Sequence, residues 1–432
     1  MCRGNDTAVV ALADDLSGAA EAAALLRLPA RLVLHVDDLG VSGADGEAVV
    51  VDLDSRYLDD EAAADAVRAA VGAAAGRVPA GVRVDADATA PRAFRAFRAA
   101  NSPDAYDSPL WFKKCDSLLR GPVGAEAAAF AEGAEVLVIA TALPAARRVV
   151  RGGVALVDGV PLHECAAWRA EERAAPRSVA GALAPLPTAD VPLETVRQGP
   201  IALAGRFREL SAHGRHPVCD AETDTDLTVI AAAAALLGPG TRLLGSGGLA
   251  AALGRRLAAR RAHGPSAKAA PTAARPLLVV AGSAEPVVGE QVARLVEGGA
   301  RHLALTPGRL TGADPVALPA LAPGTVTVLS VDGSDGVRPG AARAVVAGLA
   351  RAVSTVPGRP DLVLTGGETA RRVLDSLGIT TLRPVGEIHH GAVHCRTIDG
   401  RSVVTRPGSF GGPDSFVRIA AALRPSQQGV TQ

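Results

Sequence analysis

The sequence predicts an α/β protein of two domains, each a mostly parallel sheet flanked by helices, with some antiparallel hairpin structure. One observation is length, because 432 residues exceed what a single ordinary hydrophobic core supports. The other is a repeating pattern: a short run of Val, Leu and Ile, a loop containing Gly, Asp or Ser, and an Ala-rich amphipathic stretch. Strands that alternate with helices form parallel sheets, and ligands bind beyond the carboxyl ends of such strands.

Short apolar runs predict strands in both halves of the chain. In the first half these runs lie at residues 7–13, 31–36, 48–53, 110–115, 136–140, 201–204 and 242–245. In the second half they lie at residues 277–283, 302–306, 326–331 and 362–367. The dipeptides Asp158-Gly159 and Asp399-Gly400 lie between alternating apolar residues, which predicts a hairpin turn in each domain.

A stretch rich in Ala, Pro and Ser indicates where the first domain ends. Residues 262–276 have no apolar periodicity and fit an interdomain linker. We therefore expect a first domain at residues 1–261, a second domain at 277–424 and a C-terminal tail at 425–432.

Composition and charge exclude several classes of function. The 45 Lys and Arg residues balance the 45 Asp and Glu residues, so no overall field attracts nucleic acid or anionic membranes. The 5 cysteines form no CxxC pair and no cluster with metal-ligand spacing, which indicates a reducing compartment and no structural metal. The N-terminus has no apolar signal segment, and no apolar run is long enough to span a bilayer. We expect a cytoplasmic protein that binds neither nucleic acid nor membranes.

Charged residues follow two of the predicted strands near the N-terminus. Asp14, Asp15 and Ser17 follow the first strand, and paired carboxylates at a strand end suit polyol binding or proton abstraction. Either aspartate alone could instead cap the helix expected to begin near Ala19. Arg56 follows the third strand and is a weak signal by itself.

The segment WFKKCDSLLRGPVGAE, residues 111–126, carries the strongest signal in the first domain. It runs from a predicted strand through a charged turn into a predicted helix, and its polar residues are Lys113, Lys114, Asp116, Ser117 and Arg120. An arginine fork beside a helix N-terminus suits bidentate binding of a carboxylate. The alternative is a salt bridge between Asp116 and Arg120 that only holds the loop.

Three loops rich in Gly and Ser, each before a predicted helix, recur in the second domain. Their sequences are VAGSAEP at 280–286, LTGGETARRV at 364–373 and VTRPGSFGGPDSF at 404–416. A helix N-terminus offers unpaired amides, and glycine lets a phosphate approach the backbone closely, so these loops predict a phosphate-containing ligand. Neither GxxxxGK[ST] nor the GxGxxG fingerprint with its downstream acid is present.

Eight motifs, in this order along the chain, resemble those of the four-carbon acid sugar kinase family. They are ALADDLSGA, VDLDSR, FKKCDSLLRG, ALPAARRVVRGGVALVDGVPLHE, LLGSGGLAAAL, VVAGSAEPVVGEQVARL, LVLTGGETARRVLDSLGI and VTRPGSFGG. Ser17 and Leu118 stand where the family usually has Thr, and Arg406 stands where it usually has Lys. Loss of a hydroxyl at Leu118 bears on which acid is accepted, and Arg406 offers a planar fork in place of a point donor.

The resemblance implies an ATP-dependent kinase that phosphorylates a hydroxyl of a small sugar acid such as erythronate, threonate or 3-oxo-tetronate. Mg2+ would be carried with ATP. It also implies that residues 1–261 bind the acid and that residues 277–424 bind the nucleotide.

For a kinase of this kind we expect the following roles for individual residues. Asp15 or Asp116 would orient or deprotonate the attacking hydroxyl, and Arg120 would bind the carboxylate. The other expected contacts to the acid are Asp14, Ser17, Arg56, Lys114, Ser117 and Gly121. The expected contacts to ATP are Ser283, Gly366, Gly367, Glu368, Thr369, Arg406, Gly408 and Gly411.

Two alternatives remain at this point. One is a non-catalytic sensor of sugar acids and nucleotides that retains the kinase fold, which ATP turnover with tetronates would distinguish from a kinase. The other is a sugar-acid epimerase or dehydrogenase, which would need a nicotinamide or metal site for which the sequence has no motif. The sequence leaves open the acid, its stereochemistry and whether the chain forms a homo-oligomer.

Overall fold

A computed structural model describes residues 8–40, 46–75, 109–165, 168, 173–260, 275–282, 286–314, 316–332, 341–408 and 410–424. The chain divides into two compact units, Met1–His263 and Gly264–Gln432. Most of the predicted linker (262–274), the predicted tail (425–432) and the candidate nucleotide contact Ser283 lie outside the described residues.

The first unit is built around a parallel sheet. Its strands, in chain order, are β1 (Val9–Ala13), β2 (Ala30–Val33), β3 (Ala48–Asp52), β4 (Leu110–Lys114), β5 (Val136–Ala140), β6 (Arg148–Arg151), β7 (Val154–Val157), β8 (Val160–Pro161), β9 (Thr188–Val191), β10 (His216–Cys219) and β11 (Thr241–Gly245). Eight of them form a sheet of order β2-β3-β1-β4-β11-β5-β10-β9, in which every neighbouring pair is parallel. The other three form a small antiparallel sheet of order β6-β7-β8.

Helices rich in alanine cover this sheet. In chain order they are α1 (Leu16–Leu25), α2 (Asp60–Ala75), α3 (Val123–Ala131), α4 (Val179–Ala182), α5 (Leu193–Val196), α6 (Pro200–Ala212), α7 (Asp224–Ala234) and α8 (Gly247–Arg260). Short 3-10 helices lie at Val36–Gly40, Pro144–Ala146 and Leu162–Glu164. Helix α1 packs against α8, and α2 packs against α3. The small side chain of alanine lets these helices approach the sheet and one another closely.

Two sequence predictions in this unit are wrong. Residues 201–204, expected as a strand, belong to helix α6. Pro200 occupies its first turn, where a missing N–H costs nothing, and the buried residues recur with a helical period at Leu203, Ala204, Phe207 and Leu210. Helix α1 begins at Leu16 instead of near Ala19, so Ser17 lies in its first turn.

The second unit contains a mixed sheet. Its strands are β12 (Leu277–Ala281), β13 (Arg301–Leu305), β14 (Val326–Val331), β15 (Asp361–Thr365), β16 (Thr381–His389), β17 (Ala392–Arg396) and β18 (Ser402–Arg406). Their order is β13-β14-β12-β15-β18-β17-β16; the first five are parallel, and β17 is antiparallel to both of its neighbours. The helices of this unit are α9 (Pro286–Glu297), α10 (Pro307–Leu310), α11 (Ala342–Ser354), α12 (Gly367–Ser376) and α13 (Ser415–Leu423).

The predicted α/β class with additional hairpins is confirmed. Asp158-Gly159 joins β7 to β8, and Asp399-Gly400 lies in the turn from β17 to β18, each between antiparallel strands. None of the helices in the described part of the chain combines the length and the apolar character that a bilayer crossing requires.

Each sheet has parallel strands whose order reverses at one point, and open α/β sheets commonly bind ligands beyond the carboxyl ends of the strands at such a point. In the first unit β1 lies between β3 and β4, and in the second unit β12 lies between β14 and β15. The carboxyl ends of β3, β1, β4 and β11 are therefore neighbours, as are those of β12, β15 and β18. The loops singled out in the sequence follow these strands.

Candidate active site

Charged side chains gather where three neighbouring strands of the first unit end. Asp14 and Asp15 follow β1, Arg56 follows β3, Lys114 is the last residue of β4, and Asp116 comes just after it. Because these strands are parallel and adjacent, their carboxyl ends meet at one edge of the sheet. The topology thus brings together residues that are about a hundred positions apart in the sequence.

The guanidinium of Arg56 bridges the three aspartates of this edge. Its Nε and NH2 atoms lie 2.8 and 2.7 Å from Asp14 Oδ2, and NH1 lies 2.8 Å from Asp15 Oδ2. NH2 also lies 3.8 Å from Asp116 Oδ1. Burial alone would lower the pKa of Arg56, but the three carboxylates raise it well above its ordinary value. Arg56 is therefore a fixed cation that holds the acidic groups in place.

Asp116 is bound on both carboxylate oxygens by Arg120. Arg120 Nε donates to Oδ2 at 2.7 Å and NH2 donates to Oδ1 at 2.9 Å, while the N–H groups of Leu118 and Arg120 also donate to Oδ2. The loop-holding salt bridge considered from the sequence is thus present. Burial acts to raise the pKa of Asp116, but Arg120 and Arg56 hold it far below its usual range. A carboxylate with so low a pKa is a weak proton acceptor.

Asp15 and Asp14 have different surroundings. Asp15 Oδ1 accepts the Gly18 N–H at 2.7 Å and so caps helix α1, and its other oxygen binds Arg56. Burial and the charge of Asp14 raise the pKa of Asp15. For Asp14, burial is outweighed by Arg56, Lys113 and Lys114, which lower the pKa. Asp14 Oδ1 is buried and has no hydrogen-bond partner among the described residues.

The two consecutive lysines of β4 point to opposite faces of the sheet and have different partners. Lys113 Nζ lies 3.1 Å from Glu126 Oε1, and both side chains are almost fully buried. Lys114 Nζ lies 3.3 Å from Glu21 Oε2. The other oxygen of Glu21 is buried without a hydrogen-bond partner among the described residues, and a Cβ at Gly247 would lie 2.6 Å from it. Lys114 thus pairs with Glu21 and Lys113 with Glu126, and the charges of both lysines act on Asp14.

Two serine hydroxyl groups and a glycine that packs closely against the backbone also lie at this edge of the sheet. Arg148 NH1, from β6, donates to Ser117 Oγ at 2.6 Å, while Ser17 Oγ is buried with no partner in the described ranges. Gly121 has φ of 82°, and a Cβ there would lie 2.9 Å from the Arg56 carbonyl oxygen. Glycine at this position therefore lets the loop after β4 pack against the backbone of Arg56.

In the second unit, Gly282, just after β12, packs against the start of α12. Gly366 has φ of 91°, a conformation that favours glycine, and it is the N-cap of α12. Gly367, Glu368 and Thr369 form the first turn of that helix. Thr369 is buried, and a side chain at Gly282 would collide with it. The amide-rich start of α12 is thus held beside the end of β12, in the geometry that suits a phosphate.

Arg406, the last residue of β18, is fully buried, and its guanidinium points into its own unit. Its NH2 donates to Gln291 Oε1 at 2.6 Å, NH1 to Ser415 Oγ at 3.1 Å and Nε to Thr365 Oγ1 at 3.3 Å. It also lies 4.7 Å from the centre of the Phe416 ring. These neighbours are all uncharged.

The glycines after β18 lie next to this arginine. The Arg406 carbonyl accepts the Gly366 N–H at 2.9 Å, which joins the loop after β15 to the loop after β18. Gly408 lies in the turn after β18, and Gly411 has φ of 87°. A Cβ at Gly411 would lie 2.7 Å from Ser415 Oγ, so a side chain there would disturb the loop.

Comparison with known proteins matches both units. The family model described as a sugar-binding N-terminal domain matches residues 9–85 and 82–253, and the one described as a nucleotide-binding C-terminal domain matches residues 278–416. A D-threonate kinase of Cupriavidus necator is 30% identical over 440 residues, covering 96% of this chain and 98% of its own. The chain belongs to the four-carbon acid sugar kinase family.

A second kinase is similar to this chain over nearly its whole length, and a solved structure shares its fold. A 3-oxo-tetronate kinase of Methylobacterium radiotolerans is 29% identical, with 94% of this chain and 97% of that protein covered. A Salmonella typhimurium LT2 protein, solved under a provisional tRNA synthase name, superposes with a TM-score of 0.72 at 20% identity. That superposition covers 95% of this chain and 98% of the other, and it shows the fold alone. Membership confirms the expectation of an ATP-dependent sugar-acid kinase.

Three residues of this sugar-acid kinase adjoin the candidate sites although sequence reasoning did not select them. Arg148 lies in the hairpin motif that resembles the family, but only the fold shows that it reaches Ser117. Glu21 lies on α1, and only the fold brings it to Lys114, which is far from it in the sequence. Gln291, in the middle of α9, had no local signal at all.

Proposed function

We propose that this sugar-acid kinase transfers the γ-phosphoryl group of ATP to a hydroxyl of a four-carbon acid, such as threonate, erythronate or 3-oxo-tetronate. One observation carries the proposal. Asp14 Oδ1, Ser17 Oγ and Glu21 Oε1 are buried without hydrogen-bond partners among the described residues, on a sheet edge that also holds lysine and arginine. Buried polar atoms are nearly always paired in native proteins, so we infer that these three bind the hydroxyl groups of a substrate.

The cations of the same edge suit the carboxylate of that ligand. Arg120 is partly exposed, with 28% of its side chain accessible, and Arg148 is held nearby through Ser117. Burial lowers the pKa of Arg148, so an anion beside it would stabilise its charged form. We assign the carboxylate to Arg120 and Arg148. Arg56 is already bound to three carboxylates and serves to hold the aspartates.

Asp14 is the aspartate best placed to receive the acceptor hydroxyl. Asp15 uses both oxygens, as helix cap and as partner of Arg56, and Asp116 is bound by Arg120 and two backbone N–H groups. In the proposed step the hydroxyl oxygen forms a bond to the γ-phosphorus, the bridging P–O bond to ADP breaks, and the hydroxyl proton passes to Asp14 Oδ1. Because phosphoryl transfer depends mainly on positioning, holding this hydroxyl is the larger contribution of Asp14.

The loops after β12, β15 and β18 are assigned to ATP. Gly366, Gly367, Glu368 and Thr369 present the start of α12, and Gly408 and Gly411 present the loop before α13. Mg2+ enters with ATP and offsets the charge that develops on the β- and γ-phosphate oxygens.

A coupled assay of ADP release tests the proposal on the full chain. The panel contains both enantiomers of threonate and erythronate, 3-oxo-tetronate, and the neutral polyols threitol and erythritol as matched controls without a carboxylate. We expect ADP release with at least one of the acids and none with the polyols. ATP binding without turnover of any acid would favour the non-catalytic sensor, and equal turnover of threitol would contradict the carboxylate assignment.

A further inference from the structure

Three successive backbone carbonyls in the loop between β18 and α13 point toward the interior of the second unit. The carbonyl of Phe410 accepts a hydrogen bond from Arg406 NH1. Those of Gly411 and Gly412 accept hydrogen bonds from Gln291 Nε2 at 3.1 and 2.9 Å. Gln291 in turn accepts the 2.6 Å hydrogen bond from Arg406 NH2, so the two side chains act on the loop as one unit.

The direction of these carbonyls fixes the direction of the N–H groups that follow them. In a trans peptide the C=O of one residue and the N–H of the next point opposite ways. The inward carbonyls of Phe410 and Gly411 therefore turn the N–H groups of Gly411 and Gly412 away from the interior. Neither N–H has an acceptor within the described residues. Consecutive N–H groups around a glycine of positive φ, here 87° at Gly411, form a concavity that binds anions.

Arg406 supplies a second, independent indication of an anion. It is fully buried, yet no described carboxylate forms an ion pair with it, and its hydrogen bonds go to uncharged acceptors. Burial lowers the pKa of Arg406 to about 10. A buried cation without a charged partner is costly, and an anion bound on the far side of the loop would lower that cost without contacting the guanidinium.

We propose that Arg406 and Gln291 are positioning residues for a phosphate group of ATP. They hold three carbonyls inward so that the Gly411 and Gly412 N–H groups face the phosphate, and the phosphate balances the charge of Arg406. This inference rests on the proposed function and adds to it how the loop after β18 binds the nucleotide. It also revises the expected role of Arg406, which acts through the loop and does not contact the nucleotide.

The variant Gln291→Glu distinguishes a role in phosphate binding from a role that only stabilises the loop. The variant keeps an oxygen for Arg406 NH2 but removes the two hydrogen bonds from Nε2 to the glycine carbonyls. It also gives Arg406 a carboxylate, which competes with the phosphate for its charge. We expect ATP affinity, measured by calorimetry on the full chain, to fall by about tenfold or more. The melting temperature without nucleotide should stay level or rise, because the buried cation gains a partner, and the KM for the acid should stay unchanged.

Two further variants complete the test. Gln198→Glu, at an exposed position of the first unit, is the matched control and should leave ATP affinity unchanged. Arg406→Lys keeps the charge but loses the fork, so its ATP affinity should lie between those of the wild type and Arg406→Met. If Gln291→Glu and Arg406→Met both bind ATP within twofold of the wild type, the inference is wrong.

The outcomes for the two proposals are distinct. A wild-type chain that binds ATP but phosphorylates no acid would contradict the proposed function and leave the calorimetric test of Gln291 and Arg406 valid. Normal acid phosphorylation with unaltered ATP affinity in both variants would contradict only the role of this pair.

Discussion

Arg120 binds Asp116 through two hydrogen bonds, from Nε to Oδ2 at 2.7 Å and from NH2 to Oδ1 at 2.9 Å. This pair lies at the proposed acid site, where only Arg120 is expected to bind the acid. Substitution of its two members should therefore have different effects. Arg120→Ala removes the proposed contact with the carboxylate of the substrate. Because a charge-assisted contact contributes about 1.5–3 kcal/mol, we expect kcat/KM for the acid to fall roughly tenfold to a hundredfold. ATP affinity should barely change.

The control for this prediction is Arg68→Ala, which removes an exposed arginine paired with Glu132 and Asp65 in the same unit. Its kinetics should match those of the wild type, since exposed pairs contribute little. Asp116→Ala should lower both the melting temperature and activity, because it leaves Arg120 and two backbone N–H groups without their acceptor. If Arg120→Ala lowers the melting temperature but leaves kcat/KM for the acid unchanged, the prediction is wrong and the salt bridge only stabilises the loop.

Asp14→Asn tests the assignment of the acceptor hydroxyl. The amide keeps one oxygen for Arg56 but no longer provides a carboxylate at the Oδ1 position. We expect kcat to fall by about a hundredfold, within the range of general-base contributions, with a smaller change in the KM for the acid. Asp65→Asn, on the exposed face of α2, is the matched control. Asp15→Asn losing more kcat than Asp14→Asn would shift the assignment to Asp15.

Gly366→Ala tests the nucleotide loop after β15. The φ of 91° at Gly366 is strained for alanine, and the start of α12 would have to move. We expect the ATP KM to rise about tenfold while the KM for the acid stays constant. Gly378→Ala provides a matched control at the opposite end of the same helix, because Gly378 also has positive φ, 65°. Gly378→Ala should lower the stability without lowering the affinity for ATP. If Gly366→Ala and Gly378→Ala have the same affinity for ATP, the loop after β15 does not bind the nucleotide.

The half-buried imidazole of His394 predicts a pH dependence of stability. Burial, together with Arg396, lowers the pKa of His394 to about 4 from its ordinary value of 6.5. Between these two values the unfolded chain binds the proton more readily than the folded chain, so the free energy of unfolding falls as the pH drops from about 6.5 to 4. His394→Gln should have a shallower decline of melting temperature across this interval. His213→Gln, at an exposed position, is the control, and an identical decline in His394→Gln and the wild type would contradict the prediction.

Much of the fold follows from local sequence patterns. The apolar runs predict β1 and β3 almost to the residue, because these strands are buried and consist mainly of Val, Leu and Ala. Strand β4 is also predicted almost to the residue, from its apolar start at Leu110 to Phe112, although it ends in two buried lysines. Strands β9 and β10 were not predicted, since Thr, Asp, His and Pro interrupt their apolar character. The run at 201–204 misled because four apolar residues fit a strand or a helix equally well.

The candidate sites show a similar division. Residues that follow strands, such as Asp14, Arg56 and Asp116, could be selected because parallel strands place such residues at one edge. Arg148 and Gln291 could not, because their roles depend on contacts with Ser117 and with Gly411 that are distant in sequence. The inward direction of Arg406 likewise depends on its partner on α9 and has no local signature.

The most direct test of the central claim is to identify the product by phosphorus-31 NMR. The full chain is incubated with ATP, Mg2+ and the acid that gives the highest ADP release. The account predicts a new phosphate-ester signal that grows in step with ADP, requires the acid, and is strongly reduced in Asp14→Asn. Formation of inorganic phosphate alone, or no acid-dependent signal with any tetronate, would contradict the claim that this protein is a kinase of four-carbon acids.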